Sequence, residues 1–207
     1  MLEKIKAPSD VKKLTIPELE ELSADIRKNI IDTVDANGGH LSPNLGAVEL
    51  TVALYRVFDF PTDKLIFDVG HQCYTHKILG GRKEEVSKIR QSDGVSGFPM
   101  FSESVYDAFG AGHAGSSVSA CLGYCAARDA RKQDYTVIDV VGDASLFNGE
   151  NLEALACNDV KPRKLIIILN DNGMSISRNN NGMYKFFSKM RMKKTYGRFM
   201  NFIDKTI

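Results

Sequence analysis

Two short apolar runs, each closing on a polar cluster, constrain this chain more than anything else in it. The first, residues 135–141, ends in Gly142-Asp143, and the second, residues 165–169, ends in Asn170-Asp171-Asn172. Both are rich in Val and Ile and are of strand length, a pattern that predicts buried parallel strands. Between them Leu152, Leu155 and Ala156 are expected on one face of a helix, which Lys161-Pro162 closes. Strand, helix, strand is a βαβ unit. The expected fold class is therefore α/β, a mostly parallel sheet with helices on both faces. The polar clusters fall at the carboxyl ends of the strands, where open sheets of this kind take their ligands.

The chemistry of those ends is specific. Asp143 offers a carboxylate and Asn172 an amide oxygen, hard ligands that suit Mg²⁺ when phosphate oxygens and water complete its shell. Gly142 and Gly149 let backbone come close to a phosphate. Three of the four histidines stand in glycine-flanked turns, as Gly39-His40, Gly70-His71 and Gly112-His113. A lone loop histidine is ordinarily a surface residue, and a strand-end aspartate ordinarily caps the next helix. Three such histidines at element ends suggest proton transfer near neutral pH instead.

These words together resemble a known family. Gly-Asp-Gly followed at a distance by Asn-Asp-Asn resembles the thiamine diphosphate fingerprint of the transketolase superfamily. The segments GGHLSPNLGAVELTVALYRVFD, LIFDVGHQCYTHKILGGR, GVSGFP, ESVYDAFGAGHAGSS and LNDNGMSIS look like 1-deoxy-D-xylulose-5-phosphate synthases. The resemblance implies a thiamine diphosphate-binding fold of the diphosphate-holding type, with thiamine diphosphate and Mg²⁺ as cofactors. It implies Asp143, Asn172 and the backbone carbonyl of Met174 as metal ligands. His71, Gly112, His113, Ala114, Ala144 and Ser145 would border the cofactor together with Asp143 and Asn172. His40, placed near the substrate, and His71 are the implied catalytic residues, whereas His76 is read as structural. The chain departs from the family at Ala144, where the family has glycine. If that backbone were left-handed, alanine would cost about 1–2 kcal/mol; if the glycine serves clearance, the methyl points at the diphosphate.

In the resembled family the cofactor lies between two domains, and the second supplies the pyrimidine pocket and a glutamate. This chain carries the first only, as residues 1–177, followed by a basic amphipathic tail, residues 178–207, that resembles the start of a linker. The implied reaction joins decarboxylated pyruvate to glyceraldehyde 3-phosphate. It would need a homodimer or a second chain bearing the pyrimidine-binding domain. The alternatives are one subunit of a split transketolase, or a non-catalytic remnant that binds a partner.

Elsewhere the reading is plainer. An amphipathic helix is expected over residues 14–34, with Thr15 as cap and Leu19, Leu22, Ile26, Ile30 and Val34 on its buried face. A second helix is expected from Leu45 or Ala47 to about Val57, and a short strand over residues 65–67. Two short helices follow at 75–79 and 83–90. Residues 91–115 form a long glycine-rich segment, of a length that marks function or disorder. A helix then runs from Ser116 or Ser117 to about Lys132. The four cysteines read as small buried residues of a reducing compartment. A net charge of +1 gives no case for nucleic acid. No apolar run is long enough to cross a membrane, and no signal peptide is recognised, so a cytoplasmic protein is expected. The tail, with Lys185, Lys189, Arg191, Phe186 and Phe187, reads as a docking or solvated helix.

Overall fold

The computed structural model describes residues 1–157, 162–171 and 182–191. A single turn, Leu2–Lys4, and the short helix α1 (Pro8–Val11) lead into α2 (Ile16–Asn37). The Glu18 carboxylate accepts from the Thr15 amide at 2.8 Å and from its hydroxyl at 2.7 Å, which satisfies the helix start. Leu19, Leu22, Ile26 and Ile30 are buried along one face, as the spacing predicts, with Val34 packed beside them. The helix stops at Gly38, whose φ of 72° is left-handed backbone that glycine adopts without penalty. The second expected helix is present as α4 (Val48–Val57), and a short helix that was not expected, α3 (Leu41–Leu45), precedes it, separated by Ala47, which leaves helical geometry.

Strand β1 (Lys64–Phe67) follows, then α5 (Tyr74–Lys77) and, across a kink at Gly81, α6 (Lys83–Val86). Next come α7 (Ser117–Ala130), β2 (Val137–Gly142), the short turn of helix α8 (Asp143–Leu146) and α9 (Gly149–Ala156). Strand β3 (Leu165–Asn170) and α10 (Gly182–Arg191) complete the described residues. The three strands are parallel in the order β1-β2-β3, with Phe67 beside Val140 and Gly142 beside Asn170. The βαβ unit is therefore present with its strands adjacent.

Helices cover both sheet faces. Leu65, Phe67, Ile138 and Val140 join Leu22, Ile26 and Ile30 of α2 and Val52 and Tyr55 of α4 in one core. Ile66 and Val137 point the other way and pack on Cys121 and Cys125 of α7. Burying a side chain of this size contributes about 1.5–3 kcal/mol, so the sheet is fixed from both sides. Two expectations need correction. Strand β3 is only half-buried, with Ile166 and Leu169 exposed, since among the described residues it pairs with β2 alone. In α9 the buried positions are Asn151 and Ala154, while Leu155 is exposed; polar anchoring by Asn151 sets the helix rotation. Cys157 is exposed, against expectation, whereas Cys73, Cys121 and Cys125 are buried.

Residues 91–115 hold no helix or strand, yet they are tied down. Arg82 forks onto Asp107 at 2.8 and 2.6 Å, and the Met100 amide donates to the same carboxylate at 2.9 Å. Glu103 accepts from Lys77 and, at 2.7 Å, from the Ser96 amide. His76 Nε2 lies 3.1 Å from Asp107 and its Nδ1 lies 2.9 Å from the Tyr55 hydroxyl. A carboxylate only accepts, so the proton sits on Nε2 and Nδ1 accepts from Tyr55. His76 is thus a structural member of a buried charged cluster, as the sequence reading has it. No helix among the described residues is long and apolar enough to cross a membrane.

Candidate active site

The carboxyl end of β1 is where the site begins. Its last residue is followed by Asp68, and the chain then reverses through Val69 and Gly70, with φ of 59° and 82°. The Gly70 amide donates to the Asp68 carbonyl at 2.6 Å, closing a γ-type turn around Val69. Positive φ at a β-branched residue is rare and strained, of order 1–3 kcal/mol, and such strain collects at functional turns. A Cβ at Gly70 would stand 2.4 Å from Pro99, so only glycine fits there. The reversal delivers His71.

His71 meets His40 edge to face, ring centroids 5.5 Å apart, and Phe98 also packs on His40 at 5.6 Å. One buried amide sets both turns. Asn44 Nδ2 donates to the His40 carbonyl at 2.6 Å and to the His71 carbonyl at 2.8 Å, while its Oδ1 accepts from the Tyr74 amide at 2.9 Å. The Tyr74 hydroxyl in turn accepts from the His40 amide at 3.2 Å. Burial pushes the pKa of His40 down, with Arg90 adding to the effect. Burial does the same to His71, His40 adding and Asp68 opposing. Both rings carry a buried Nδ1 with no partner among the described residues.

Asp68 itself is 1% exposed and holds the third histidine turn. Its carboxylate accepts from the Gly115 amide at 3.0 Å, the Ser117 amide at 3.2 Å, the Ser117 hydroxyl at 2.8 Å and Asn151 Nδ2 at 3.0 Å. Residues 112–117 are therefore hung from the end of β1. Gly112, His113 and Ala114 are exposed along that turn, and Gly112 faces open space. Asn151 also accepts from the Val118 amide at 3.2 Å and donates to the Ser145 carbonyl at 3.0 Å. Asn148 reaches the Ala114 carbonyl at 3.3 Å. Through Asn148 and Asn151 the turn is joined to α8, which carries Asp143, Ala144 and Ser145.

Asp143 is buried at the first position of α8, with Ser145 buried and Ala144 exposed beside it. Ala144 lies in a right-handed helical turn and is not among the residues of positive φ. The left-handed penalty considered for it does not apply, and clearance alone distinguishes it from glycine. Asn172 and Met174 lie outside the described residues. The sequence reading missed Asp68, Asn44 and Asn151. Asp68 carried a signal, a polar residue closing an apolar run; Asn44 and Asn151 carried none, because a buried amide looks like any other polar residue in a string.

The donor set fits a cofactor of the implied kind. Buried polar atoms without partners, here Nδ1 of His40 and His71, mark a place made for a polar guest. The exposed Gly112–Ala114 backbone and the carboxylate of Asp143 border the same strand ends.

Comparison with known proteins agrees. The model of the family described as 1-deoxy-D-xylulose-5-phosphate synthase matches residues 2–207. The chain belongs to the 1-deoxy-D-xylulose-5-phosphate synthase family. It is 50% identical over 191 residues to the synthase of Dehalococcoides mccartyi (strain ATCC BAA-2266 / KCTC 15142 / 195), covering 92% of this chain and 30% of that protein. It is 50% identical over 200 residues to that of Clostridium beijerinckii, covering 96% and 32%. Against that of Clostridium botulinum (strain Eklund 17B / Type B) it is 48% identical over 209 residues, covering 100% and 33%. The chain spans about a third of the length of these curated relatives, and the match falls on their N-terminal part. Relatives so named do not favour a split transketolase subunit.

Proposed function

We propose that this chain is the diphosphate- and Mg²⁺-holding part of a 1-deoxy-D-xylulose-5-phosphate synthase. The observation that carries the reading is the convergence of three glycine-histidine turns and the Asp143 turn near the carboxyl ends of β1 and β2, the His40 and His71 turns tied by Asn44 and the His113 turn by Asp68. In this reading Asp143, with Asn172 and the carbonyl of Met174, holds Mg²⁺. Gly112, His113, Ala114, Ala144, Ser145 and His71 border thiamine diphosphate. When bound, the cofactor supplies the carbanion sink for joining pyruvate-derived carbon to glyceraldehyde 3-phosphate.

The protein's own part is positioning and proton handling. His40 and His71 are driven toward the neutral form by burial, so each can accept or give a proton at a ring nitrogen. The Phe98 ring packs against His40 with centroids 5.6 Å apart and adds to its burial. We also assign the domain boundary to residue 177, read residues 178–207 as the start of a linker, and place the protein in the cytoplasm as a homodimer or with a second chain that carries the pyrimidine-binding domain. The pyrimidine side of the cofactor would come from sequence equivalent to the remainder of the relatives.

Calorimetric titration of thiamine diphosphate into the chain, with and without Mg²⁺, tests this. Binding is expected only with Mg²⁺, and Asp143→Ala is expected to abolish it. Mg²⁺-independent binding that survives Asp143→Ala would sink the proposal. So would a lack of binding even when the remaining part of a relative is supplied in trans.

A further inference from the structure

Asp139 is a carboxyl group where a parallel strand wants an apolar side chain. It sits in the middle of β2 at 0% exposure, between Ile66 and Ile167. Its Oδ1 has no partner among the described residues. Its Oδ2 lies 3.0 Å from the Ser117 hydroxyl oxygen, which also lies 2.8 Å from Asp68 Oδ2. A hydroxyl has one proton and so can donate to one carboxylate, not two. Asp68 is surrounded by donors only: the amides of Gly115 and Ser117 and the Asn151 side chain. It is therefore the acceptor, and the Ser117 proton points at it. The Ser117 oxygen then faces Asp139 with a lone pair, and only a protonated carboxyl can meet it.

We propose that Asp139 carries a proton and donates it to Ser117, which donates in turn to Asp68, so that the turn bearing Gly112, His113 and Ala114 is held by a chain that breaks when Asp139 ionises. Asp139 is thus a positioning residue for that turn. Burial pushes its carboxyl up to about 7, with the Asp68 charge adding. The other groups facing this pair are Cys121 on α7, its own thiol pushed up by burial and by Asp139, and His71, which faces Asp68. The β3 neighbour, Ile167, has no charge.

The sign follows from linkage. A carboxyl whose folded pKa exceeds its unfolded value binds more protons when folded, so its contribution is complete in acid and is lost as pH rises toward about 7. Asp139→Asn keeps a neutral donor of the same shape. Thermal melts of the parent and of Asp139→Asn should diverge from about pH 4 to about pH 7 and run parallel above it, the parent falling relative to the variant. At the alkaline end, amide hydrogen exchange at Gly115 and Ser117 should be slower in Asp139→Asn than in the parent. A melting difference that does not change with pH, or identical exchange at those amides, overturns the proposal. If Asp139→Asn does not fold, carboxyl-carbon NMR of the ¹³C-aspartate-labelled parent decides alone. One aspartate titrating near neutrality supports the proposal, and none above about pH 5 overturns it.

Discussion

His40 and His71 stand edge to face, their ring centroids 5.5 Å apart, and neither ring has a partner at Nδ1 among the described residues. Two imidazoles so close cannot both be charged without repulsion, and burial already disfavours the cation. Both are therefore expected to titrate below the usual histidine value of about 6.5. Their folded pKa values lie below the unfolded ones, so their contribution to stability is complete above about pH 6.5 and is lost as pH falls through the folded values. Proton NMR of the ring C–H signals checks this. Two histidines titrating at or above the ordinary value would contradict the packing described.

Asn44 makes the pair what it is. Asn44→Ala would leave the His40 and His71 carbonyls and the Tyr74 amide without their partner. A buried polar group stranded in this way costs about 1–3 kcal/mol. A lower urea midpoint is expected, together with His40 and His71 pKa values that move back toward those of exposed rings. Unchanged ring titration in Asn44→Ala would show that the turns hold without it.

Ala144→Gly tests the departure from the family at the point where the structure places it. The residue is helical, so glycine gains nothing from its backbone freedom there and should destabilise by about 0.5–1 kcal/mol. The melting temperature should fall by a few degrees. A rise would mean that the alanine backbone is strained after all. Any gain in thiamine diphosphate affinity on this substitution would then report clearance of the methyl and nothing else.

The buried cluster under residues 91–115 gives a larger effect. Asp107 accepts from Arg82, His76 and the Met100 amide, and its removal leaves the buried Arg82 guanidinium with Glu103 alone, at 3.3 Å. Asp107→Ala should cost about 3–5 kcal/mol, read as a shift in the denaturation midpoint, with faster hydrogen exchange around Ser96 and Met100. Burial pushes the Asp107 carboxyl up, but the hydrogen bonds from His76 and Arg82 outweigh it and hold it well below the usual range. Its contribution is thus complete above about pH 4 and is lost only as strong acid protonates it. A midpoint within experimental error of the parent's would remove this cluster from any role in ordering the segment.

How far the string of residues revealed this arrangement depends on the physics of each part. Val137 to Gly142 and Leu165 to Asn170 were legible because strands of a parallel sheet favour short runs rich in branched residues, and such runs are visible locally. The α2 face was legible for the same reason, through its helical period. The histidine turns were legible because glycine beside histidine is unusual and local. The supports were not. Asp68 showed only as a polar residue closing an apolar run; Asn44 and Asn151 act across distances that no local pattern encodes, and the rotation of α9 follows from Asn151 rather than from Leu155. Asp139 was hidden within an apolar run, where one polar letter does not change the period. Helix α3 went unread because it is a single short turn with Pro43 inside it and Gly46 directly after it.

The hydrogen bonds to Asp68 also say something about when the site exists. They join it to Gly115, 47 positions away, to Ser117, 49 away, and to Asn151, 83 away. The first two close the long glycine-rich segment onto the end of β1, and the third also needs α7, β2 and α8 in place. Closing loops of that size is slow and is rewarded only at the end. The turn bearing His113 is therefore not a local motif waiting to be filled during synthesis. It comes into being with the sheet, so a chain still folding offers ligands no half-built version of the site to compete for.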